Sequence, residues 1–425
     1  MKVLHINTYD HGGAAKACIR LHTGLLNKGI DSKLLLREKL NSVRGSYKFA
    51  PKRSMAGKFE RKFLTLLFVF GMIKFPAKAW REIWQNRINK KIPRSLEQIS
   101  FPTSDLDITE SPLYREADIV HLHWVSDFLD YKSFFYKNRK PVVWTLHDME
   151  PFQGGLHYNE MFYQLDASGV PVKFDLPPAV KSAIAKNHKV KSATIRNAKD
   201  VAIVAPSRWL TTKAKEGDLF NGSKFHTIPY GLDTAIFKPR DKQFSREILN
   251  LPPDKVCLLF IADNVITFRK GFALLREAVT QMNEDKIILC AVGSNSVDVT
   301  GKNVRAFGRI EDERMMSIIY SSVDAFIIPS LEDNLPNTVL ESLVCGTPVI
   351  GFPVGGISDM VQDGVNGYLT KGVGVSQLKD SIDRFLKSMA SLDRNAISQK
   401  AREKYDSSVQ ADAYADLYRS ILHRV

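Results

Sequence analysis

Short, uninterrupted apolar runs spaced at helix-length intervals constrain this chain most. Ala325 to Ile328 is one such run and Pro348 to Gly351 another, with a helical stretch carrying Glu341 between them. Continuous apolar runs suit parallel strands covered on both faces, and parallel strands need a crossover helix to join them. The junctions are as informative as the strands. The first run breaks at Pro329-Ser330 and passes through Glu332-Asp333-Asn334-Leu335-Pro336. The helix ends at Cys345-Gly346, and Gly355-Gly356 opens a further turn. Acid and glycine where strand becomes helix is how a βαβ unit builds a nucleotide-phosphate site.

The same alternation runs through the chain. Residues 2–7 read as a strand, Asp10-His11-Gly12-Gly13-Ala14 as a glycine turn, Ala15 to Asn27 as a helix and residues 33–36 as a second strand. There is no G-x-G-x-x-G and no acid closing the second strand, which disfavours a nicotinamide enzyme. Further strands are expected at Asp118 to Trp124, Pro141 to Asp148, Val201 to Ala205 and Lys224 to Ile228, with residues 149–180 as loop. Phe237-Lys238-Pro239 reads as a linker. Beyond it, strands are expected at Val256 to Ala262, Ile287 to Val292 and Val304 to Phe307, with helices over Gly271 to Met282 and Asp312 to Ser321. A chain of 425 residues exceeds one core and fits two domains. The expected fold is α/β, with two Rossmann-like domains facing a cleft. Residues 1–235 form the first domain, 236–407 the second, and a helix over 408–425 returns to the first.

Segment 39–104 interrupts the pattern and carries the charge. The chain has net charge +14, and residues 39–94 alone hold 15 basic and 2 acidic residues. Such a patch favours polyanions, including an anionic membrane surface. Phe63 to Ile73 is an apolar run about half the length that spans a bilayer. With basic flanks, Trp80 and Trp84, residues 58–92 fit an interfacial amphipathic element; the alternative is a helical hairpin packed on its own domain. The N-terminus lacks signal-peptide features. Cys18, Cys257, Cys290 and Cys345 are widely spaced, which disfavours metal ligation and disulfides and fits a reducing cytoplasm.

Strand C-termini from both domains should surround one ligand. The first domain offers Gly12-Gly13, His123 and His147-Asp148; the second offers Arg269-Lys270-Gly271, Gly308-Arg309-Ile310 and the Asp333 to Glu341 stretch. Two cations beside a helix N-terminus can clamp a diphosphate without a metal, although a solvated charge pair is the alternative. Asp333 and Glu341 could face a sugar and a ribose diol, because a carboxylate accepts two hydroxyl hydrogen bonds. They could also sit there for the helix dipole. His121 and His123 form an H-x-H, but no carboxylate spacing completes a metal site.

These residues resemble the retaining glycosyltransferases of the two-Rossmann-domain (GT-B) class, family 4. The resemblance rests on Pro329-Ser330, Asp333-x7-Glu341, Gly346-Thr347-Pro348-Val349-Ile350 and Gly355-Gly356. Thr145-Leu146-His147-Asp148, Ala205-Pro206-Ser207, Ile228-Pro229-Tyr230-Gly231-Leu232-Asp233 and Lys270-Gly271 appear in the family's order. The wording around His147-Asp148 and Gly154-Gly155-Leu156-His157-Tyr158 is similar to the subgroup that builds colanic-acid-type bacterial surface polysaccharides. The resemblance implies a metal-independent transfer from a UDP- or GDP-linked sugar to a glycan acceptor linked to a lipid carrier, without a cofactor, peripherally on the inner face of the membrane. It implies that Glu341 holds the ribose diol and that Arg269 and Lys270, with the amides of Asn334 and Leu335, stabilise the leaving diphosphate. Asp333 would bind sugar hydroxyls, and His147 would sit near the anomeric carbon. Gly13, Arg309 and Ile310 complete the implied donor side, and His123, Asp148 and His157 the acceptor side. The family's first acid is glutamate, where this chain has Asp333. Two alternatives remain: a sugar-nucleotide epimerase of the same fold, and a nucleic-acid-binding protein drawn from the basic segment.

Overall fold

The computed structural model describes residues 1–50, 77–196, 198, 200–282, 284–295, 301 and 303–423. The first half contains strands β1 (Lys2–Asn7), β2 (Asp31–Leu36), β3 (Ser46–Lys48), β4 (Ile119–Leu122), β5 (Val142–Thr145), β6 (Phe162–Leu165), β7 (Pro171–Lys173), β8 (Val201–Ala205) and β9 (Lys224–Thr227). Seven of them pair in the order β3-β2-β1-β4-β5-β8-β9, parallel throughout. Every residue of β4, β5 and β8 is buried, as helices on both faces require, while edge strand β9 stays half-exposed. The second half contains β10 (Val256–Asn264), β11 (Ile287–Ser294), β12 (Val304–Ala306), β13 (Ala325–Ile328), β14 (Val349–Gly351) and β15 (Gly367–Leu369). These form a second parallel sheet in the order β12-β11-β10-β13-β14-β15. Both sheets are doubly wound. Their strand order reverses between β1 and β4 in the first and between β10 and β13 in the second. Ligands of such folds bind beyond the strand C-termini at these reversals.

Residues 149–180 are not simply loop. Strands β6 and β7 form an antiparallel hairpin, closed by a turn in which the Asp166 carboxylate accepts the Ser168 and Val170 N–H groups, each at 2.9 Å. Gly169 supplies the positive φ of 77° that this turn needs. A further helix, Pro178–Ile195, follows.

Within segment 39–104, Ser46–Lys48 is a sheet-edge strand and Ala77–Asn89 a helix. Ile88, Ile92, Leu96, Ile99 and Phe101 bury themselves against Val180 and Ala183 of the helix Pro178–Ile195. Trp84 packs edge-on against Phe101, with Lys186 over its ring. The apolar side chains of the described part thus pack on their own domain, and Trp80 remains 56% exposed. The apolar run Phe63 to Ile73 lies outside the described residues. Among the described residues, no helix is long and apolar enough to cross a membrane.

The C-terminal helix, Ser407–Leu422, crosses back to the first domain. Asp406 caps it, and Tyr414, Leu417 and Tyr418 are buried against Leu21, Leu25, Val143 and Val204. A Cβ at Gly24 would lie 3.2 Å from the Ala411 Cβ, so glycine permits this close helix contact. The Tyr414 hydroxyl meets Thr145 Oγ1 at 2.7 Å and the Tyr418 hydroxyl meets His121 Nδ1 at 2.6 Å.

Candidate active site

The two reversals face each other, and the loop after β13 lies between them. Asn334 donates from Nδ2 to the His147 carbonyl at 3.1 Å and accepts from the Ser207 hydroxyl at 2.7 Å. Asn337 Nδ2 donates to the Gly13 carbonyl at 3.1 Å. The Glu332 carboxylate accepts the Asn159 N–H at 3.1 Å and the Glu160 N–H at 3.4 Å. Two glycines make this loop possible. A Cβ at Gly271 would stand 1.8 Å from the Pro329 carbonyl oxygen, and one at Gly355 would stand 1.8 Å from that of Asp333. Both also adopt positive φ, 79° and 56°.

Asp333 is buried, and Lys270 Nζ donates to it at 2.8 Å. Burial alone would raise its pKa, but Lys270, Arg269 and the Asn334 backbone hold the carboxyl below its ordinary value. Arg269 is more constrained than the sequence suggests. Its guanidinium lies 3.8 Å from the centre of the Tyr158 ring, donates from Nε to Glu97 at 2.8 Å and from Nη1 to the Glu332 carbonyl at 2.7 Å. Arg269 Nη2 also approaches the same Glu97 oxygen, at 2.6 Å. Glu97 thus already occupies the edge of the Arg269 guanidinium. Lys270, with 26% of its side chain exposed against 10% for Arg269, is the more available cation.

Glu341 projects from the helix Asn337–Val344 and is 4% exposed. Its Oε1 accepts Arg20 Nη2 at 2.7 Å, and its Oε2 accepts the Tyr320 hydroxyl at 3.0 Å. Each oxygen has a second lone pair for which no partner is found among the described residues. Arg20 comes from the first-domain helix Gly13–Asn27, also donates to Glu313 at 2.6 Å, and lies over the Phe237 ring. Burial opposes its charge, but Glu341 and Glu313 raise its pKa above the ordinary arginine value.

Other expected donor residues divide between core and surface. Leu335 is buried in the second-domain core, which leaves only its amide for the implied role, and Ile310 packs against that core. Arg309 is 64% exposed and pairs with Glu311 at 3.1 Å.

On the first-domain side, Asp148 Oδ2 accepts from His157 Nδ1 at 2.7 Å and from Trp124 Nε1 at 2.9 Å. Burial would neutralise both partners; instead Asp148 draws the His157 pKa up, and its own pKa falls beside His157. His157 Nε2 meets the Ser100 hydroxyl at 2.9 Å. Hydroxyl, imidazole and carboxylate in this order could activate a nucleophile. Ser100 is buried beneath the Gly154-Gly155 turn, however, and the row pins that turn.

His147 has both ring nitrogens occupied, by His123 Nδ1 at 3.0 Å and by the Tyr230 hydroxyl at 2.7 Å. Burial lowers its pKa to about 4. What His147 offers the cleft is its backbone carbonyl, held by Asn334. His5, His121 and His123 bring nitrogens within 4.8 Å of one another. Their rings tilt over each other at 4.1 to 5.2 Å, and five of their six nitrogens bond to each other or to Thr145, Tyr418 and His147, His5 Nε2 alone having no partner among the described residues. That is a hydrogen-bonded row, not lone pairs converging on one point.

Arg20, Glu97 and Tyr320 escaped the sequence reading, and Tyr158 and Tyr230 entered it only as parts of motifs. Arg20 left one signal: it stands seven residues after Gly13, two helical turns on, and so shares its face.

Residues 241–404 match the family described as glycosyl transferases group 1. The D-inositol 3-phosphate glycosyltransferase 2 of Catenulispora acidiphila is 29% identical over 222 residues, covering 46% of this chain and 50% of that protein. The D-inositol 3-phosphate glycosyltransferase 1 of the same organism is 25% identical over 309 residues, covering 66% of this chain and 67% of that protein. The chain spans about half the length of the first curated relatives it matches. Among solved structures, sucrose-phosphate synthase from Thermosynechococcus elongatus superposes with a TM-score of 0.69 at 15% identity, covering 100% of both chains. Anabaena HepE in complex with UDP and glucose superposes at 0.64 and 15% identity, covering 99% of this chain and 100% of that one. The second domain thus carries the sequence pattern of the group 1 glycosyl transferases, and the whole chain carries their two-domain GT-B fold.

Proposed function

We propose that this protein is a retaining glycosyltransferase that moves a sugar from a nucleotide diphosphate sugar to a glycan acceptor. The observation that carries the reading is the set of Lys270, Asp333 and Glu341 at the second reversal, set against the first domain's cleft edge. The group 1 match over 241–404 supports it, as do the UDP and UDP-glucose bound by structural neighbours. Glu341 would take the ribose diol. Lys270 would neutralise the departing diphosphate, joined by Arg269 once Glu97 yields, so no metal is required. Such pre-aimed charge is often the largest catalytic contribution. Asp333 would hold sugar hydroxyls. The leaving phosphate oxygen would take the acceptor proton, which removes the need for a protein base and retains the anomeric configuration.

The acceptor side would comprise His157, Asp148 and Trp124. We assign it a lipid-carrier-linked glycan of bacterial surface polysaccharide synthesis, reached from an anionic membrane surface through the basic segment 39–94. A small phosphorylated polyol is a second reading, favoured by the names of the sequence relatives. Incubation with UDP- and GDP-sugars plus lipid-linked saccharide or D-inositol 3-phosphate tests both. Transfer to the lipid-linked glycan supports the first, and transfer to the inositol phosphate replaces it with the second. Donor interconversion without transfer makes the protein an epimerase. A panel in which no nucleotide sugar shifts thermal unfolding removes the sugar-transfer reading.

A further inference from the structure

The two cations after β10 each meet a carboxylate, and the two carboxylates come from different domains. Arg269 and Lys270 end the short turn Phe268–Lys270. Asp333, from the loop after β13, takes Lys270 Nζ at 2.8 Å. Glu97, from the first domain, takes Arg269 with one oxygen, which accepts Nε at 2.8 Å and Nη2 at 2.6 Å. Two cations thus face two carboxylates. Opposite charges this close largely cancel at a distance, so the cluster as it stands draws an anion only weakly. A diphosphate pairs fully with both cations only when one carboxylate leaves.

The two carboxylates are not equally held. Asp333 is 10% exposed in its side chain, shares a domain with both cations, and lies 3.9 Å from Arg269 Nη1 as well as on Lys270. Glu97 is 32% exposed and has no partner besides Arg269 among the described residues. Its neighbours Leu96 and Ile99 are buried with Val180 and Ala183 of the first domain. The backbone at Glu97 is therefore fixed to that domain while the side chain can change rotamer, and any opening of the cleft carries the carboxylate away from Arg269. Arg269 stays aimed without it. The Glu332 carbonyl of its own domain holds Nη1 at 2.7 Å. The edge that Glu97 covers, Nε with Nη2, is the fork that binds a carboxylate or a phosphate through two parallel hydrogen bonds.

Resting on the sugar-transfer reading, we propose that Glu97 is a built-in stand-in for the donor's phosphate. It occupies the Nε–Nη2 edge of Arg269 while the cleft is empty and is displaced when a nucleoside diphosphate binds. The contact is autoinhibitory: the ligand must compete with it, so the apparent affinity falls by the fraction of molecules in which Arg269 is free. Glu97 touches neither the sugar nor the base.

Calorimetric titration of the full chain with UDP, GDP, uridine and guanosine tests this. Glu97→Gln keeps the side chain's shape and removes its charge. It is expected to bind the accepted nucleoside diphosphate about 5- to 50-fold more tightly than wild type, the worth of one partly exposed charge-assisted contact. The matching nucleoside, which has no phosphate to compete, should show no such gain. Equal or weaker diphosphate affinity in Glu97→Gln would overturn the proposal, because Glu97 would then be a fixed part of the site. An equal gain for the nucleoside would also overturn it, since the substitution would then have opened the cleft at large. Glu97→Asp keeps the charge but ends one carbon short of Arg269, and it decides the question if Glu97→Gln does not fold. A gain of about 2- to 5-fold for the diphosphate supports the proposal, and no gain overturns it. If neither wild type nor variant binds any nucleotide, the sugar-transfer reading itself falls and takes this proposal with it.

Discussion

Arg20 and Glu341 show how much one ion pair across the cleft carries. Their side chains are 9% and 6% exposed, so removing either leaves the other charge buried. Breaking such a pair costs about 3–5 kcal/mol, although Glu313 would still hold Arg20. Glu341→Gln keeps the shape and loses the charge. It is expected to destabilise the fold measurably in urea titration and to abolish sugar transfer; near-normal transfer would remove Glu341 from the site. The buried histidines give a pH prediction. Burial lowers the pKa values of His5, His121, His123 and His147, so below about pH 6.5 the unfolded chain binds protons that the folded chain refuses. Stability should be full above that pH and fall as the solution is acidified toward pH 4, with His147 alone contributing up to about 3 kcal/mol. Denaturant midpoints that are equal at pH 7 and pH 5 would contradict this. Of the candidate site residues, Lys270 and Asp333 were legible because they follow the neighbouring strands β10 and β13, and Glu341 because it lies on the helix after β13. Arg20 and Glu97 were not, because they reach the site from 321 and 172 residues away in sequence.

At the scale of elements, the strands were legible wherever both faces are buried, since burial on both sides leaves an uninterrupted apolar run. The helix Pro178–Ile195 was not. Its buried positions include Asn187 and Lys191 alongside Val180, Ala183 and Ile195, so the apolar period is broken. Those polar residues have structural tasks. Asn187 Nδ2 donates to the carbonyls of Ser100 and Gly154 at 3.3 and 3.1 Å, and Lys191 reaches Glu150 Oε1 at 2.5 Å. They tie the loop bearing His157 and Tyr158 to the scaffold. Lys191→Met should therefore destabilise by about 3–5 kcal/mol, because Glu150 is left buried and unpaired. The C-terminal helix makes a milder case. Tyr418→Phe strands His121 Nδ1 and should cost about 1–3 kcal/mol in denaturant unfolding; no loss would mean that the hydroxyl is not needed there.

Across the whole molecule, Arg20, Asn334, Asn337 and Glu332 join the two halves at the residues proposed to hold the donor. Donor binding and domain closure should therefore be coupled, and Arg20→Met should both loosen the cleft and weaken nucleotide binding. Small-angle scattering would detect the first as a larger radius of gyration. The excess charge lies almost wholly in one segment of the first half, residues 39–94. That asymmetry is what the proposed anionic membrane partner would need. Calorimetric titration of UDP and GDP into wild type, Lys270→Met and Glu341→Ala asks whether Lys270, Asp333 and Glu341 form a nucleotide-sugar site. One nucleotide should bind the wild type at a single site, with affinity lowered about 10- to 100-fold in each variant, the loss of one charge-assisted contact. Binding of neither nucleotide, or equal affinity in all three proteins, would contradict that assignment.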